Sequence, residues 1–419
     1  MFKRSLSTPT GLVGRCLAPN GVEDSHPLRW RALGLLALAE LLAMSLWFAG
    51  TAVSPLLQAR WSLDTAQVGW LTAIVQLGFV VGTALAAVLN LADLVPSRYY
   101  VAICATLGAI ANGLLLVSDH FALALASRFL TGLFLAGVYP PGMKMAATWF
   151  RSRRGLAIGV IVGALTIGKA LPFLVKSFAW GDLMPVILGS SLFAVFGAAI
   201  IVIAYRDGPY PFASRPFSWG LVGTVLRTPR WRLATGGYLG HMFELYSFWA
   251  WIPAFLAAST AASRDPAGED VVALTAFLVI AFGALGCVWG GVAADRRGRE
   301  RVITIALALS GSCALLAGVF FGLDLRLTAA MVAVWSFFVI ADSAQFSALV
   351  TEAVPPHAVG TALTTQTCLG FLLTLISIQL VPPIVERAGW AAAFGMLAVG
   401  PVAGILAIRS LARRREVMA

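Results

Sequence analysis

Long apolar runs constrain this sequence more than any other feature. Segments of about twenty or more hydrophobic residues recur throughout its 419 residues, and this length matches the hydrocarbon core of a lipid bilayer. Only 12% of the residues are charged, which is about half the fraction that soluble proteins carry. The sequence therefore excludes a soluble enzyme, a nucleic-acid-binding protein and a disordered scaffold. It predicts an all-α polytopic membrane protein.

A window of about 19 residues divides the chain into twelve predicted membrane helices. Residues 206–231 hold four prolines and four arginines and are interpreted as a cytoplasmic linker between two bundles of six helices. The bundles are predicted at residues 31–205 and 232–409, with tails at 1–30 and 410–419. The twelve helices, called spans 1 to 12, are predicted at residues 31–57, 65–90, 99–118, 121–148, 155–177, 183–205, 232–258, 271–294, 301–322, 327–350, 358–381 and 388–409.

The distribution of positive charge predicts the orientation in the membrane. Of the 30 lysines and arginines, 22 lie in segments and span ends on one side and five on the other. Positively charged loops stay in the cytoplasm, so both termini are predicted to be cytoplasmic, in a bacterial-type inner membrane. This asymmetry also explains the net charge of +11 without a nucleic-acid partner. The first thirty residues lack the apolar core of a signal peptide, so we expect span 1 to stay in the membrane.

The two predicted halves repeat each other. Glu40 and Trp47 of span 1 recur 204 positions later as Glu244 and Trp251 of span 7. The glycine at the start of span 5 recurs at the start of span 11, and the aspartate after span 2 recurs after span 8. Both pairs keep nearly the same offset. Three landmarks at one spacing indicate a duplicated six-helix unit, which is how transporters build alternating access around a site in mid-membrane.

The loop after span 8 carries a specific pattern. It reads Gly291-Val-Ala-Ala-Asp295-Arg296-Arg297-Gly298-Arg299, and it resembles the G-x-x-x-D-R-x-G-R loop of the major facilitator superfamily. The loop after span 2 resembles it loosely, because it keeps Asp93 and Arg98 but lacks the glycines and the second arginine. The resemblance implies that both loops take part in gating. It also implies that Asp295 caps the neighbouring helix and ties the inner helices of the second half together in the outward-open state.

Two further stretches extend the resemblance, which covers about residues 30–410. Arg128 and Gly132 in span 4 look like the family's R-x-x-x-G element, whose arginine is implicated in proton coupling. Residues 147–159 resemble a W-F-x-x-R-R-G-L-A-x-G junction of members that carry small anions such as oxalate, monocarboxylates, nitrate or cyanate. The G-P-x-x-G-G signature of drug antiporters is absent, since the chain has Gly168-Lys169-Ala170-Leu171-Pro172 there. Gly155, Gly159 and Gly163 predict a face for close helix approach in span 5.

Ionisable residues inside spans are costly and usually functional. We predict that Glu40 or Glu244 carries a proton, and that Arg128 and Lys169 face an anionic substrate. A buried, hydrogen-bonded carboxyl group is the structural alternative for each glutamate. Trp47, Phe48, Trp249 and Trp251 are expected to divide between cavity walls and the interfacial belt. The set assigned to the substrate and proton pathway is Glu40, Arg128, Lys169, His241, Glu244 and Asp342.

The sequence allows more than one interpretation of two of these residues. His241 lies three residues before Glu244 on one helical face, and such a pair could titrate near neutral pH. A histidine satisfied in a polar patch is the alternative. Asp342 is a possible partner for Arg128 or Lys169 from the other half. The five cysteines show no C-x-x-C pairing, so neither a metal site nor a cofactor is predicted.

Together, these features predict a monomeric secondary transporter that moves a small solute, favouring a small organic anion, by alternating access in symport with protons. A multidrug or metabolite efflux pump is the alternative within transport. A non-transporting receptor or assembly factor is the alternative of another class. No usable phosphate-binding loop supports an ATP-driven pump, and four scattered histidines supply no catalytic cluster for a membrane enzyme.

Overall fold

The computed structural model describes residues 26–150, 153–179, 181–210 and 217–416. Helices make up 85% of the structure, and the described residues contain helices and turns but no strand. The predicted all-α class is therefore confirmed. Its physical basis is that a helix satisfies every backbone N–H and C=O within one segment, as a bilayer demands.

Ten α-helices form the first half. Spans 2, 5 and 6 are single helices, whereas spans 1 and 4 are built from three and two pieces. In chain order the helices are α1 (Arg29–Met44), α2 (Ala49–Ala52), α3 (Ser54–Trp61), α4 (Thr65–Val88), α5 (Leu91–Leu94), α6 (Ser97–Gly113), α7 (Phe121–Leu135), α8 (Tyr139–Ala147), α9 (Arg154–Lys176) and α10 (Leu183–Ala204).

The second half continues with the same kind of element. The longest segment, α17, contains Gly389 with a φ of 79°, so it is two helices joined at a kink. The helices are α11 (Trp219–Arg227), α12 (Pro229–Ala261), α13 (Glu269–Arg297), α14 (Arg299–Phe320), α15 (Leu325–Ala341), α16 (Ser343–Ala353), α17 (Val359–Leu397) and α18 (Val399–Glu416).

Nine helical segments of the described chain are long and apolar enough to cross a membrane. Span 1 is not among them because its longest piece, α1, has 16 residues. Span 7, which is α12, is also outside the nine, and it carries His241 and Glu244 in its interior. Spans 11 and 12 fall in one continuous segment, Pro356–Arg414. The multi-pass character is thus clear, and the count of twelve stays a prediction.

Several spans that the sequence predicts as continuous are interrupted. Span 1 unwinds over residues 45–48, span 4 over 136–138 and span 10 at Asp342. In span 4 the cause is local, because Pro140 and Pro141 open α8 and cannot donate backbone hydrogen bonds to the preceding turn. Non-helical backbone at membrane depth is tolerated where protein groups satisfy it. These interruptions are therefore candidates for functional positions.

The predicted glycine face of span 5 is confirmed, and it packs against α13. A side chain at Gly159 would begin 2.9 Å from the carbonyl oxygen of Cys287, and one at Gly163 would begin 3.2 Å from that of Ala284. Small residues let the two backbones approach in this way. Helix α4 also packs against α17, so two pairs of helices join the halves.

Part of the predicted linker is helical. Helix α11 lies inside residues 206–231, in a stretch between two proline-containing segments that itself lacks proline. The segment around it docks on the second half, because Ser218 N donates to Thr361 Oγ1 at 3.0 Å and Trp231 Nε1 donates to the carbonyl oxygen of Ala362 at 3.2 Å. The predicted boundaries of bundles, linker and tails stay predictions.

Candidate functional site

Lys169 is buried in mid-helix and surrounded by aromatic rings. Its side chain is 1% exposed, and its Nζ lies 4.0 Å from the ring centroid of Trp47, 4.5 Å from that of Tyr246 and 4.6 Å from that of Trp249. The ammonium also donates to the Tyr246 hydroxyl oxygen at 2.6 Å. We call Lys169 and these three rings the lysine cage. Such contacts hold a cation by its attraction to the ring faces.

The lysine cage draws its residues from both halves. Trp47 lies in the unwound stretch between α1 and α2, whereas Tyr246 and Trp249 lie three residues apart on one face of α12. Lys169 follows Gly168, where a side chain would overlap the carbonyl oxygen of Leu41. This glycine lets α9 approach α1 and places the lysine beside the break in span 1.

Further aromatic rings pack against each other in the centre of the molecule, next to the lysine cage. Phe79 of α4 and Phe371 of α17 lie with ring centroids 4.4 Å apart. Phe371 also contacts Trp47 at 5.8 Å and Tyr246 at 5.0 Å. These rings connect the two halves through apolar contact rather than through ion pairs, so the halves can separate here without breaking a buried charge pair.

The lysine cage leaves polar atoms without partners. Among the described residues, the buried Nε1 atoms of Trp47 and Trp249 have no hydrogen-bond acceptor. No described carboxylate lies within ion-pair distance of Lys169 Nζ, although the charge of Glu40 is near enough to interact with it. Cation–π contacts are worth about 2 kcal/mol when desolvated, which is less than the several kcal/mol that burying an ammonium costs. These contacts therefore leave part of the cost of burying the ammonium uncompensated.

A cavity of about 370 Å³ lies between the halves on one side of the cage. Thr51, Thr72 and Trp251 line its inner part, and Lys176 and Glu269 lie at its rim where α9 ends and α13 begins. We call this cavity the vestibule. The opposite ends of α9 and α13 are packed together, because a side chain at Gly291 would begin 2.8 Å from the carbonyl oxygen of Gly155. The structure is thus open at one end and closed at the other.

Arg128 does not face the vestibule. It is fully buried in the first half, where Nη1 donates to Asn112 Oδ1 at 2.8 Å and Nη2 donates to the carbonyl oxygens of Leu46 at 3.0 Å and Trp47 at 2.6 Å. The expectation that Arg128 faces an anionic substrate stays a prediction, and in this structure its Nη atoms contact protein groups. Arg128 instead satisfies the carbonyls that the break in span 1 leaves free.

The repeat-related glutamates occupy different surroundings. Both carboxylate oxygens of Glu244 accept hydrogen bonds within the second half, from Trp335 Nε1 at 2.8 Å and from Ser310 Oγ at 2.8 Å. Glu40 lies against Gly142 of α8, and its buried Oε1 has no partner among the described residues. Similar sequence surroundings therefore do not give the two residues the same contacts.

His241 pairs with Asp342 rather than with Glu244. The Nδ1 atom of His241 lies 2.9 Å from Oδ1 of Asp342, and both side chains are 1% exposed. The expected His241–Glu244 pair is wrong, and so is the expectation that Asp342 partners Arg128 or Lys169. The described part of the chain brings no three His, Cys, Asp or Glu residues together in a way that would hold a metal ion.

The family model for the Major Facilitator Superfamily matches residues 35–378, which is most of the chain. The chain belongs to this superfamily. No curated protein matches it closely enough to indicate a particular member. Members of the superfamily are typically transporters rather than enzymes, so this multi-pass membrane protein is a secondary transporter in general terms.

In this superfamily member, the loop after span 8 contacts the other half. Asp295 lies at the start of α9, where a side chain at Gly155 would begin 3.0 Å from its Oδ1. Asp295 therefore meets the first half, rather than only tying the second half together as predicted. Gly298 has a φ of 84° and is the N-cap of α14, a conformation that favours glycine. Arg299 pairs with Glu352 of α16, and Arg296 is exposed.

The corresponding loop after span 2 makes fewer contacts among the described residues. Arg98 stacks on its neighbour Tyr99, with its guanidinium carbon 4.6 Å from the ring centroid, and donates to the Tyr99 hydroxyl at 3.0 Å. The backbone of Asp93 lies in α5, and its side chain is outside the described part of the structure. The pair of gating loops is thus asymmetric in structure, as it is in sequence.

Sequence reasoning named the lysine but not its cage. From the sequence, Trp47 and Trp249 belong to a group of aromatic residues that divides between cavity walls and the interfacial belt. From the sequence, no prediction is made for Tyr246. Lys169 lies 122 residues after Trp47 and about 80 residues before Tyr246 and Trp249, so no local pattern in the sequence joins the lysine to its rings. The one available signal was that Tyr246 and Trp249, three residues apart, share a helical face in span 7.

Proposed function

We propose that this transporter moves a small organic anion across the inner membrane in symport with protons, by alternating access. The observation that carries the proposal is the buried ammonium of Lys169, which lies in a cage built from both halves. No described carboxylate forms an ion pair with it, so a substrate carboxylate can supply the missing negative charge. The proposal includes twelve membrane helices, cytoplasmic termini and a monomeric protein.

The unpartnered indole N–H groups of Trp47 and Trp249 support an anionic substrate. An N–H group is a donor only, so it gains a hydrogen bond from a carboxylate oxygen and none from a cation. The apolar rings around Lys169 exclude water and strengthen the electrostatic attraction.

The position of the cage supports alternating access. A substrate that binds Lys169 of the first half and Trp249 of the second favours closure of the halves around it, because only the closed arrangement supplies both contacts. With the predicted orientation, the vestibule faces the extracytoplasmic side. The packed ends at Gly155 and Gly291 then form the closed cytoplasmic side.

The test is transport by purified protein in proteoliposomes. Radiolabelled oxalate, pyruvate, nitrate and cyanate are supplied with an imposed proton gradient, and a cationic dye serves as the probe for multidrug efflux. We expect uptake of oxalate or pyruvate and none of the dye, and uptake of nitrate or cyanate alone would contradict an organic carboxylate as the substrate. Binding without movement of any anion would instead favour a receptor, and movement of the dye alone would favour an efflux pump.

Substitution at the cage makes the test specific. Lys169→Met keeps the length of the side chain and removes its charge, so apparent affinity for the transported anion should fall about tenfold or more. Lys144→Met removes a lysine near the end of α8 and is the matched control, which should keep wild-type affinity. Equal affinity of the Lys169→Met and wild-type proteins would contradict the proposed anion site.

A further inference from the structure

A second buried ionisable site lies in the second half, away from the lysine cage. It consists of His241 on α12 and Asp342 at the break between α15 and α16, with Nδ1 and Oδ1 2.9 Å apart. Both side chains are 1% exposed. A histidine and a carboxylate so placed can exchange a proton with each other and with a third group.

Polar atoms of the His241–Asp342 pair are left without hydrogen-bond partners in the described part of the chain. Among the described residues, neither ring nitrogen of His241 and neither carboxylate oxygen of Asp342 makes a well-aligned hydrogen bond, although Nδ1 and Oδ1 lie 2.9 Å apart. Glu244 differs, because Trp335 and Ser310 occupy both of its oxygens. The His241–Asp342 pair therefore has polar atoms with no partner, whereas each oxygen of Glu244 already accepts one hydrogen bond.

The charge of the pair depends on one proton. With a neutral imidazole and an ionised carboxylate its net charge is −1, and with an imidazolium and a carboxylate it is 0. A net buried charge costs several kcal/mol unless it is compensated. No described lysine or arginine lies within ion-pair distance of Asp342 to provide that compensation. Uptake of one proton therefore neutralises the site.

The surroundings contain few other groups that could take the proton. The titratable groups facing the pair are Tyr238 and Glu244 from α12 and Cys287 from α13. Helix α16 presents the ring of Phe346, whose centroid lies 5.3 Å from that of His241. The pair is thus the one place in this region where an imidazole and a carboxylate meet.

The location connects the pair to the interface between halves. Helix α13 approaches the break closely, because a side chain at Gly290 would meet the carbonyl oxygen of Ala341. Helix α16, which begins after Asp342, contacts α9 of the first half. A change of charge at the break can therefore alter how α16 and α13 pack against α9.

From this geometry we propose that the His241–Asp342 pair binds the proton that is coupled to transport, and that Glu244 is a packing residue. This inference depends on the proposed function, because it assumes that transport is coupled to protons. It replaces the expectation, drawn from sequence alone, that a single glutamate is the carrier.

The transport test uses radiolabelled oxalate and pyruvate in proteoliposomes. In Asp342→Asn and His241→Gln, accumulation driven by a proton gradient should fall about tenfold or more. Counterflow of the same anion should stay near the wild-type rate, because exchange needs no net proton movement. Asp119→Asn and His120→Gln alter an exposed aspartate and histidine and serve as matched controls, with both activities unchanged. Gradient-driven accumulation at the wild-type level in Asp342→Asn would overturn the proposal.

A second measurement does not depend on transport or on the folding of those variants. The other three histidines, His26, His120 and His357, are replaced, and the ring nitrogens of His241 are followed by NMR of isotope-labelled protein from about pH 5 to about pH 9. We expect His241 to pass between neutral and protonated forms in this range. A ring that stays in one form throughout would overturn the proposal. If neither anion is transported, the substrate class is wrong, while the NMR result still decides the role of the pair.

Discussion

At the scale of single residues, two buried cations of the first half differ in the number of hydrogen bonds that they donate to the protein. Arg128 donates to Asn112 and to two backbone carbonyls through its two Nη atoms, although its Nε has no acceptor among the described residues. Lys169 makes one hydrogen bond, to Tyr246, and otherwise contacts ring faces. A planar guanidinium suits fixed, multiple hydrogen bonds, whereas an ammonium is a compact charge that can bind a changing partner. This difference is why we assign the substrate to Lys169.

The first prediction concerns Arg128. Arg128→Ala leaves the buried carbonyls of Leu46 and Trp47 without donors, and each unsatisfied group costs about 1–3 kcal/mol. We expect a lower unfolding temperature in detergent, together with weaker anion binding because Trp47 loses its support. Thermal unfolding measures the first effect and binding the second. Arg326→Ala, at an exposed position, should change neither. Wild-type stability of Arg128→Ala would show that Arg128 does not hold the break in span 1.

At the scale of helices, the contact between α9 and α13 defines the closed end of the molecule. The approach depends on Gly155 and Gly291, and Asp295 lies where the two helices meet. A carboxylate near a helix N-terminus is favoured by the helix dipole, so we expect Asp295 to stabilise this closed end.

The second prediction follows from that contact. Asp295→Asn removes the negative charge at the start of α9 and keeps the size of the side chain. We expect a slower transport rate with insertion and folding unchanged, because the closed end is less stable and the equilibrium between states shifts. Initial rates in proteoliposomes measure the effect, and Asp324→Asn is a control at the N-cap of another helix. A wild-type rate would mean that Asp295 has no gating role in this chain.

The third prediction compares two glycines. In Gly290→Ala the new Cβ would overlap the carbonyl oxygen of Ala341, so α13 and α15 would have to move apart. In Gly395→Ala the new Cβ has no heavy atom within 4 Å. We expect the first variant to lose stability by about 1–3 kcal/mol and the second to be neutral or slightly stabilised. Equal thermal stability of the two variants would contradict the close packing of α13 on α15.

At the scale of the whole molecule, the orientation is open to direct measurement. The five native cysteines are first replaced, and single cysteines are then introduced at Ser152, Ser263 and Arg297. A membrane-impermeant thiol reagent applied to intact cells should label the cysteine at position 263 and not those at 152 and 297. The basic loops are expected to remain inside because lysine and arginine resist translocation. Labelling of position 152 from outside would reverse the orientation.

The sequence by itself determined that the protein is a helical membrane protein, where most of its spans lie, and that span 5 packs closely through its glycines. These features depend on apolar length, charge distribution and residue spacing within one segment, which are local properties. Only the tertiary structure decided the partners of the buried charges. Lys169 meets Tyr246 at a distance of 77 positions along the chain, and Arg128 meets Trp47 at 81. Which ring or carbonyl completes a buried site depends on helix breaks, rotations and crossings, and these are set by packing between segments rather than by the pattern within any one of them.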